Sequence, residues 1–246
     1  MFNTTKALVL REVRYKEADR ILTLLTESEG KITAKARGAL RKSSRTAAAT
    51  QQLTWSEMTL FGNRGKWTVN EAIVVEGFDG LRADLEAFAL GAYFAECLEA
   101  LSVEDQPDPA LLQLGLNALY ALSRGLHEPW KLKAAFELRL MSLAGYEPEL
   151  SACASCGNEP VRPLFSLKEG CVVCGTCPHG GETAPLCPAS LAAMRYILAA
   201  PPKKLFSFSL EGEAADRLAY AAEAFLLRQT ERRFGTLEYY KQVRMK

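Results

Sequence analysis

Six of the seven cysteines lie close together in the second half of the chain. In order, they are Cys153, Cys156, Cys171, Cys174, Cys177 and Cys187. The first two form one CxxC pair, and the next three form two overlapping CxxC pairs that share Cys174. Two CxxC turns can surround a Zn²⁺ ion with four thiolates in the tetrahedral geometry of a structural zinc site. The linker after Cys156 is 14 or 17 residues long, depending on the second pair, and both lengths are typical of paired zinc knuckles.

The spacing leaves open which cysteines complete this zinc site. Either Cys171 and Cys174 or Cys174 and Cys177 can supply the second pair, Cys187 is a further candidate, and His179 can replace Cys177. Four thiolates leave no open position for a reacting water, which catalytic zinc usually keeps. The chain also lacks the H-x-E…P-C-x-x-C pattern of zinc deaminases. We therefore expect the zinc to be structural.

A second group of residues with possible chemistry lies near the N-terminus. No acidic residue occurs from Gly30 to Ser56, although the chain as a whole has a net charge of only +1. The basic residues of this segment, which we call the basic block, are Lys31, Lys35, Arg37, Arg41, Lys42 and Arg45. Such a block indicates either a nucleic-acid contact surface or a solvated basic loop, and charge alone does not distinguish them.

Several classes of protein are disfavoured by the sequence. The charge balance excludes a histone-like polycation, and no apolar run approaches the ~20 residues that a membrane span needs. The N-terminus lacks the pattern of a secretory signal, so we expect a reducing cytoplasm in which cysteines bind metal or stay free. The nucleotide-binding motifs G-x-x-x-x-G-K-[ST] and G-x-G-x-x-G and the hydrolase motif G-x-S-x-G are absent, so we expect no enzyme.

The basic block lies in a segment that is predicted to be β-rich. Five short strands are predicted over residues 6–15, 20–27, 31–37, 52–61 and 67–75, although residues 20–27 also permit a helix. Five strands in a segment of this size are typical of the OB-fold, a small Greek-key barrel. We therefore predict an α+β protein whose residues 1–80 form a five-stranded OB-fold barrel.

The rest of the chain is predicted to be helical, with the cysteines in an insert. Helices are predicted over residues 84–101, 110–123, 129–144, 188–199 and 213–234, with Asp108 as the cap of the second. Cys97, in the first of them, is expected to be a small buried residue. We assign residues 81–246 to a helical domain, interrupted at residues 147–188 by the zinc-binding module.

The whole chain resembles the RecO family of bacterial recombination mediators. The segment GKITAKARGALRKSSR resembles the basic stretch of that family, and CASCGNEPVRPLFSLKEGCVVCGTC resembles its zinc module. Against the family pattern the final pair aligns best as Cys174 and Cys177, and Cys171 is extra. The resemblance therefore implies Cys153, Cys156, Cys174 and Cys177 as the zinc ligands.

The resemblance also implies a function. It implies binding to single- and double-stranded DNA, annealing of complementary strands, and loading of recombinase onto strands coated by single-strand-binding protein. The implied partners are RecR and the C-terminal tail of single-strand-binding protein. The implied pathway is recombinational DNA repair in the cytoplasm, on the nucleoid. The alternative that the residues leave open is an RNA-binding or transcription-associated OB-fold zinc protein.

We hypothesise that the basic block contacts phosphates, together with Arg64 and Lys66 of the facing hairpin. Neutralising phosphates releases counterions, so binding should weaken steeply as salt is added. Aromatic residues of this segment can offer faces on which bases stack, as in other OB-folds. Of these, we expect Trp55 and Phe61 to fill the barrel instead, whereas Trp67 fits either role.

Overall fold

The computed structural model describes residues 2–63 and 65–244. The chain divides into two compact units. The first unit contains the residues up to Gly125 and those from Phe234 onward, and the second contains Leu126–Arg233.

The first unit begins with five strands that close into a barrel in the order β1-β2-β3-β5-β4. The strands are β1 (Phe2–Tyr15), β2 (Asp19–Thr26), β3 (Gly30–Ala36), β4 (Trp55–Asn63) and β5 (Lys66–Glu76). All neighbours are antiparallel except β3 and β5, which run parallel. The predicted five-stranded OB-fold barrel is confirmed, and the helix that residues 20–27 permitted is excluded.

Strand β3 shows how the barrel sorts its side chains. Ile32, Ala34 and Ala36 are buried in the barrel core, whereas Lys31 and Lys35 lie on the outer side of the strand. Successive side chains of a strand point to opposite faces, so the apolar core fixes the register of the basic residues between them. The same alternation thus packs the barrel and presents its cations.

Helices complete the first unit. They are α1 (Asp79–Ala83), α2 (Leu85–Leu101), α3 (Pro109–Ser123) and α7 (Gly235–Arg244). Helix α2 packs against α3 and α7, and Cys97 is fully buried within it, as predicted. The Asp108 carboxylate accepts the backbone N–H groups of Ala110 and Leu111, which confirms it as the cap of α3.

The second unit combines helices with a small sheet. Its elements are α4 (Pro129–Leu143), β6 (Pro163–Ser166), β7 (Cys171–Cys174), β8 (Thr183–Pro185), α5 (Pro188–Ala199) and α6 (Gly212–Thr230), with a 3₁₀ turn at Pro202–Lys204. The three strands form a sheet in the order β7-β6-β8. Phe165 of β6 packs edge-on against Phe225 of α6, with ring centroids 5.0 Å apart. The side-chain amide of Gln229 also donates to the carbonyls of Leu167 and Lys168, both at 2.8 Å. These contacts fix the sheet to α6.

The helical part has seven α-helices among the described residues, and none is long and apolar enough to cross a bilayer. The last predicted helix is shorter than expected. Helix α6 ends at Thr230 because Glu231 takes the left-handed conformation, with φ of 50°. The domain boundaries given by the sequence, 1–80 and 81–246 with an insert at 147–188, remain predictions.

Candidate nucleic-acid interface and metal centre

The loop between β3 and β4, residues 37–54, carries most of the basic block and is held down by hydrogen bonds. At its start, the Gly38 N–H donates to Asp19 Oδ1 at 2.8 Å. Towards its end, the Arg20 guanidinium donates to the Ala47 carbonyl at 2.8 Å and to Thr50 Oγ1 at 2.9 Å. Both Asp19 and Arg20 begin strand β2, so the barrel itself orders this loop.

The cations of this loop are exposed. We call them, together with one cation of the β4–β5 hairpin, the open cations: Arg37, Arg41, Lys42, Arg45 and Lys66. Among the described residues, none of the five forms an ion pair with a carboxylate. Their charge is therefore available to phosphates. Arg64 lies outside the described residues.

The other two predicted cations have partners within the first unit. Lys31 Nζ donates to the carbonyl of Glu99, in α2, at 2.9 Å. Lys35 Nζ lies 2.8 Å from Asp19 Oδ2 and 4.9 Å from the centre of the Tyr15 ring. The hydrogen bonds from Lys35 and from the Gly38 N–H lower the pKa of Asp19 below its ordinary value. Lys35 is therefore already neutralised by an ionised carboxylate.

A groove of about 550 Å³ opens on the barrel beside these cations. It is lined by residues from β1, the end of β3 and the β4–β5 hairpin: Phe2, Lys35, Arg37, Phe61, Asn63, Lys66, Trp67, Thr68 and Asn70. Three aromatic rings and three cations thus face one cavity. Flat apolar surfaces beside positive charge are what a strand with exposed bases and charged phosphates requires.

The aromatic rings of this groove are placed by strand pairing. Phe2 and Phe61 are directly opposite in the β1–β4 ladder, with ring centroids 5.1 Å apart. Trp67 is opposite Gly62 in the β4–β5 ladder. The Trp67 ring lies so close to Gly62 that a Cβ there would be 2.8 Å from Cζ3, so a larger residue at this position would require the ring to shift.

In the second unit, two tight turns bring cysteines together. The Gly157 N–H donates to the Cys153 carbonyl at 2.8 Å, and the Cys177 N–H donates to the Cys174 carbonyl at 3.1 Å. The Sγ atoms of these three cysteines and of Cys156 all lie within 4.8 Å of one another. One pair, Cys156 and Cys174, is 3.9 Å apart. Sulfurs bound to one tetrahedral zinc are separated by about 3.8 Å, given Zn–S bonds of ~2.3 Å, so the cluster fits Zn²⁺.

The hydrogen bonds at the cluster affect its four thiols differently. The Cys174 N–H donates to Cys153 Sγ at 3.2 Å, and the Val161 N–H donates to Cys174 Sγ at 3.3 Å. Burial opposes ionisation of Cys153, but backbone N–H groups outweigh it and lower its thiol pKa to about 6. The hydrogen bond with Cys156 instead raises the pKa of Cys177 to about 12. A cation at the centre would favour the ionised form of all four.

The remaining candidate ligands are outside this group. Cys171 and Cys174 are the two ends of strand β7, and residues three apart in a strand point to opposite faces. That pair therefore cannot close around one ion as a turn can. Cys187 is instead the N-cap of α5, where its Sγ accepts the Ser190 N–H at 3.5 Å. His179 is exposed, and its Nδ1 lies 3.0 Å from the Cys177 carbonyl.

Comparison with known sequences covers both halves of the chain. The family described as "Recombination protein O N terminal" matches residues 1–78, and "Recombination protein O C terminal" matches residues 82–238. The chain belongs to the RecO family. It is 34% identical to the DNA repair protein RecO of Acetivibrio thermocellus over 239 residues, covering 96% of this chain and 95% of the relative. It is 36% identical to that of Symbiobacterium thermophilum over 242 residues, covering 96% of each chain.

Within this RecO family chain, the structure separates the aromatic residues that the sequence pattern groups together. Trp55 is buried, with 8% of its surface exposed, but it does not belong to the barrel core, whereas Trp67 is partly buried against that core. The expectation that Phe61 fills the barrel is wrong, because its side chain is 38% exposed. Met58 and Leu60 of β4 point inward, and strand alternation then turns Phe61 outward.

Sequence reasoning missed several residues of the groove in this RecO family chain. Phe2, Asn63, Thr68 and Asn70 are not among the predicted site residues, although all line the cavity. Asn63 ends strand β4 and Asn70 lies in β5, so both belong to the hairpin that carries Lys66. The predicted hairpin could therefore have identified them as neighbours of that lysine. No feature of the sequence indicates Phe2 as a groove residue, because its place beside Phe61 depends on pairing between strands far apart in the sequence.

Proposed function

We propose that the chain is a DNA-binding recombination mediator in recombinational DNA repair. In this proposal it binds single- and double-stranded DNA and anneals complementary strands. With RecR it helps to load recombinase onto strands coated by single-strand-binding protein, whose C-terminal tail is a further partner. Membership of the RecO family supports the assignment to DNA repair. The proposed place of action is the nucleoid, in the cytoplasm.

One observation carries the DNA-binding part of this proposal. The exposed basic loop and the groove adjoin, because Arg37 belongs to both. The open cations can neutralise phosphates of either single or double strands, since phosphate contacts carry no base sequence. In this proposal Lys31 and Lys35 also contact phosphates, but more weakly than the open cations, because each already has a partner within the chain.

Annealing follows from charge neutralisation without a catalytic residue. Two strands repel each other through their phosphates, and a surface with several cations lowers that repulsion while the bases remain free to pair. We assign no bond-making or bond-breaking step to the chain. Its proposed contribution is to bind two strands at once and to hold them near each other.

The zinc site has a separate, structural role in the proposal. Cys153, Cys156, Cys174 and Cys177 would hold Zn²⁺, which cross-links two turns when bound. All four positions are taken by thiolates, so no position is left for a reacting water. The module at residues 147–188 thereby gains stability that its few large apolar side chains do not supply.

Annealing of two complementary oligonucleotides, followed by fluorescence over a series of salt concentrations, tests this function. We expect the chain to accelerate annealing. This acceleration should decrease as the salt concentration rises and should persist when the strands are coated with single-strand-binding protein. Binding without acceleration would contradict the mediator function. A parallel pair of RNA strands of the same sequence gives the comparison, and a clear preference for RNA would favour the RNA-binding alternative.

A further inference from the structure

The second half of strand β5 carries an apolar strip that the proposed DNA contacts do not use. The strip consists of Ile73, Val74 and Val75, which are 69%, 40% and 50% exposed. In the part of the chain that the structure describes, no other three consecutive large apolar residues are exposed. The first half of the same strand, from Lys66 to Asn70, contributes to the groove. Contiguous exposed apolar surface commonly marks an interaction site, so the strip needs an explanation of its own.

This half of β5 is also an open sheet edge. Strand β4 pairs with β5 along its length, but β3 pairs with it only at Trp67, Thr68 and Val69. Among the described residues, the backbone of residues 70–75 forms no further hydrogen bond outside its ladder with β4. The unpaired N–H and C=O groups of such an edge are a template for one more strand. We call residues 70–75 the open edge.

Carboxylates surround the strip. Glu71 precedes it and Glu76 follows it on β5, and Glu57 of β4 is opposite its first residue. Glu57 and Glu71 are exposed and form no ion pair among the described residues, whereas Glu76 Oε2 lies 3.9 Å from the Arg124 guanidinium. Lys6 of β1 is the other cross-strand neighbour of Glu57. Three carboxylates and two cations leave this rim negative.

The charges of the rim distinguish between possible ligands of the open edge. Two copies of the chain paired edge to edge would bring the carboxylates of both rims together, and like charges across a strand pair are destabilising. The same carboxylates repel DNA. An extended peptide with apolar residues at its centre and basic residues at its ends instead matches the backbone groups, the strip and the rim.

We propose that the open edge binds an extended segment of a partner protein, which adds to the barrel as a further strand. The backbone of the segment pairs with residues 70–75, and its apolar side chains cover the strip. Basic side chains at its ends lie beside Glu57 and Glu71. DNA at the groove and a protein at the open edge thereby use different halves of one strand.

A synthetic peptide in which valine and threonine alternate between two lysines at each end tests the proposal on the full-length chain. We expect it to bind and to protect the edge-facing amides of residues 70–75 from hydrogen exchange. Ile73→Lys should weaken binding by about 5-fold or more, because a like charge replaces an apolar cross-strand contact. The same peptide with its central amides methylated should not bind, because it cannot donate hydrogen bonds to the edge.

Controls separate strand addition from general stickiness and from folding. Val103→Lys changes another exposed β-branched residue, in the loop after α2, and should leave peptide binding unchanged. Ile73→Val keeps an apolar β-branched side chain and should retain binding. Glu71→Gln should weaken binding of the lysine-ended peptide but not of a peptide with serines in place of the lysines.

Each contrary outcome has a definite meaning. Absence of protection at residues 70–75, or equal binding of the methylated peptide, would overturn strand addition at this edge. A chain that is dimeric by sedimentation and becomes monomeric in Ile73→Lys would assign the edge to a second copy and overturn the proposed partner. None of these measurements involves DNA, so their failure would leave the proposed function standing.

Discussion

The cysteine cluster and the barrel groove are assembled in different ways. Each pair of cysteines lies within one turn, Cys153 with Cys156 and Cys174 with Cys177, so local backbone geometry places the ligands. The groove instead joins side chains from four strands, and its rings meet only because β1 pairs with β4 and β5 pairs with β4. The first site is set by local spacing, and the second by the register of the whole barrel.

The two sites also differ in what satisfies their charges. At the cysteines, four thiol sulfurs face one another, and a bound cation would be needed for all four to be ionised together. At the barrel, the open cations are exposed to solvent, so their charges can be neutralised by a bound anionic ligand. Changes in the cysteines should therefore alter metal content and local stability, and changes in the barrel should alter binding. A variant that did the opposite would break this comparison.

The largest effect is expected from Cys177→Ser. This change removes one of four thiolates and should lower zinc affinity by more than the 10- to 100-fold that removal of an outer-shell partner costs. Cys171→Ser is the matched control, because it lies three residues before Cys174 on strand β7 and outside the cluster. Zinc content by mass spectrometry should fall in the first variant and stay at about one per chain in the second.

Unfolding after this loss of zinc should be local. The sheet is also held to α6 by Phe165 and Gln229, neither of which depends on the metal. We therefore expect increased amide exchange in the two cysteine turns and protected amides in α6. Full affinity of Cys177→Ser for zinc, or loss of zinc from Cys171→Ser, would contradict the ligand assignment.

The contrast between the sites explains what could be predicted from sequence. The two CxxC turns were visible as spacing, and the spacing alone left Cys171 as a possible ligand. The family resemblance implied Cys174 and Cys177 instead, and the position of Cys171 at the start of β7, outside the cluster, supports that choice. The barrel was predictable from short alternating strands. The inward positions of Met58 and Leu60 also contained the information that Phe61 points outward.

Other features of the groove could not be predicted, because they depend on contacts between distant segments. The neutralisation of Lys35 requires Asp19 from the neighbouring strand. The hydrogen bond from Lys31 to the Glu99 carbonyl requires helix α2 to pack against the barrel. The charge pattern of the sequence does not distinguish these two lysines from the open cations, although their environments in the structure differ.

Replacing Arg37 and Arg41 by Glu should have the next largest effect. Both side chains are exposed. Each phosphate-binding cation removed should reduce the slope of log affinity against log salt by about 1, so the double replacement should reduce it by about 2. Affinity at low salt should fall sharply for single and double strands alike, while zinc content stays unchanged. Filter binding over a salt series measures the slope.

Matched controls sharpen the comparison between the two regions. Lys168→Glu and Arg162→Glu reverse two exposed charges within the zinc-binding module, residues 147–188, and should change DNA binding less. An equal effect from the two pairs would mean that net charge, and not the barrel surface, governs binding.

The smallest effect is expected from Asp19→Asn, and it has the opposite sign. The Asn side-chain oxygen can still accept the Gly38 N–H, but the neutral side chain no longer neutralises Lys35. The freed Lys35 should add one phosphate contact, which raises the salt slope by about 0.7 on single strands. Because the pKa of Asp19 is held below its ordinary value, the carboxylate is ionised at neutral pH and competes with phosphate there.

Glu57→Gln is the matched control for this last change. Glu57 is an exposed carboxylate of β4 that forms no ion pair among the described residues, so its removal alters the net charge equally but frees no lysine. An increase in affinity and slope for Asp19→Asn alone would show that an internal carboxylate limits the barrel site. A decrease would instead show that Asp19 acts by holding the start of the basic loop, since the Gly38 hydrogen bond would then depend on its charge.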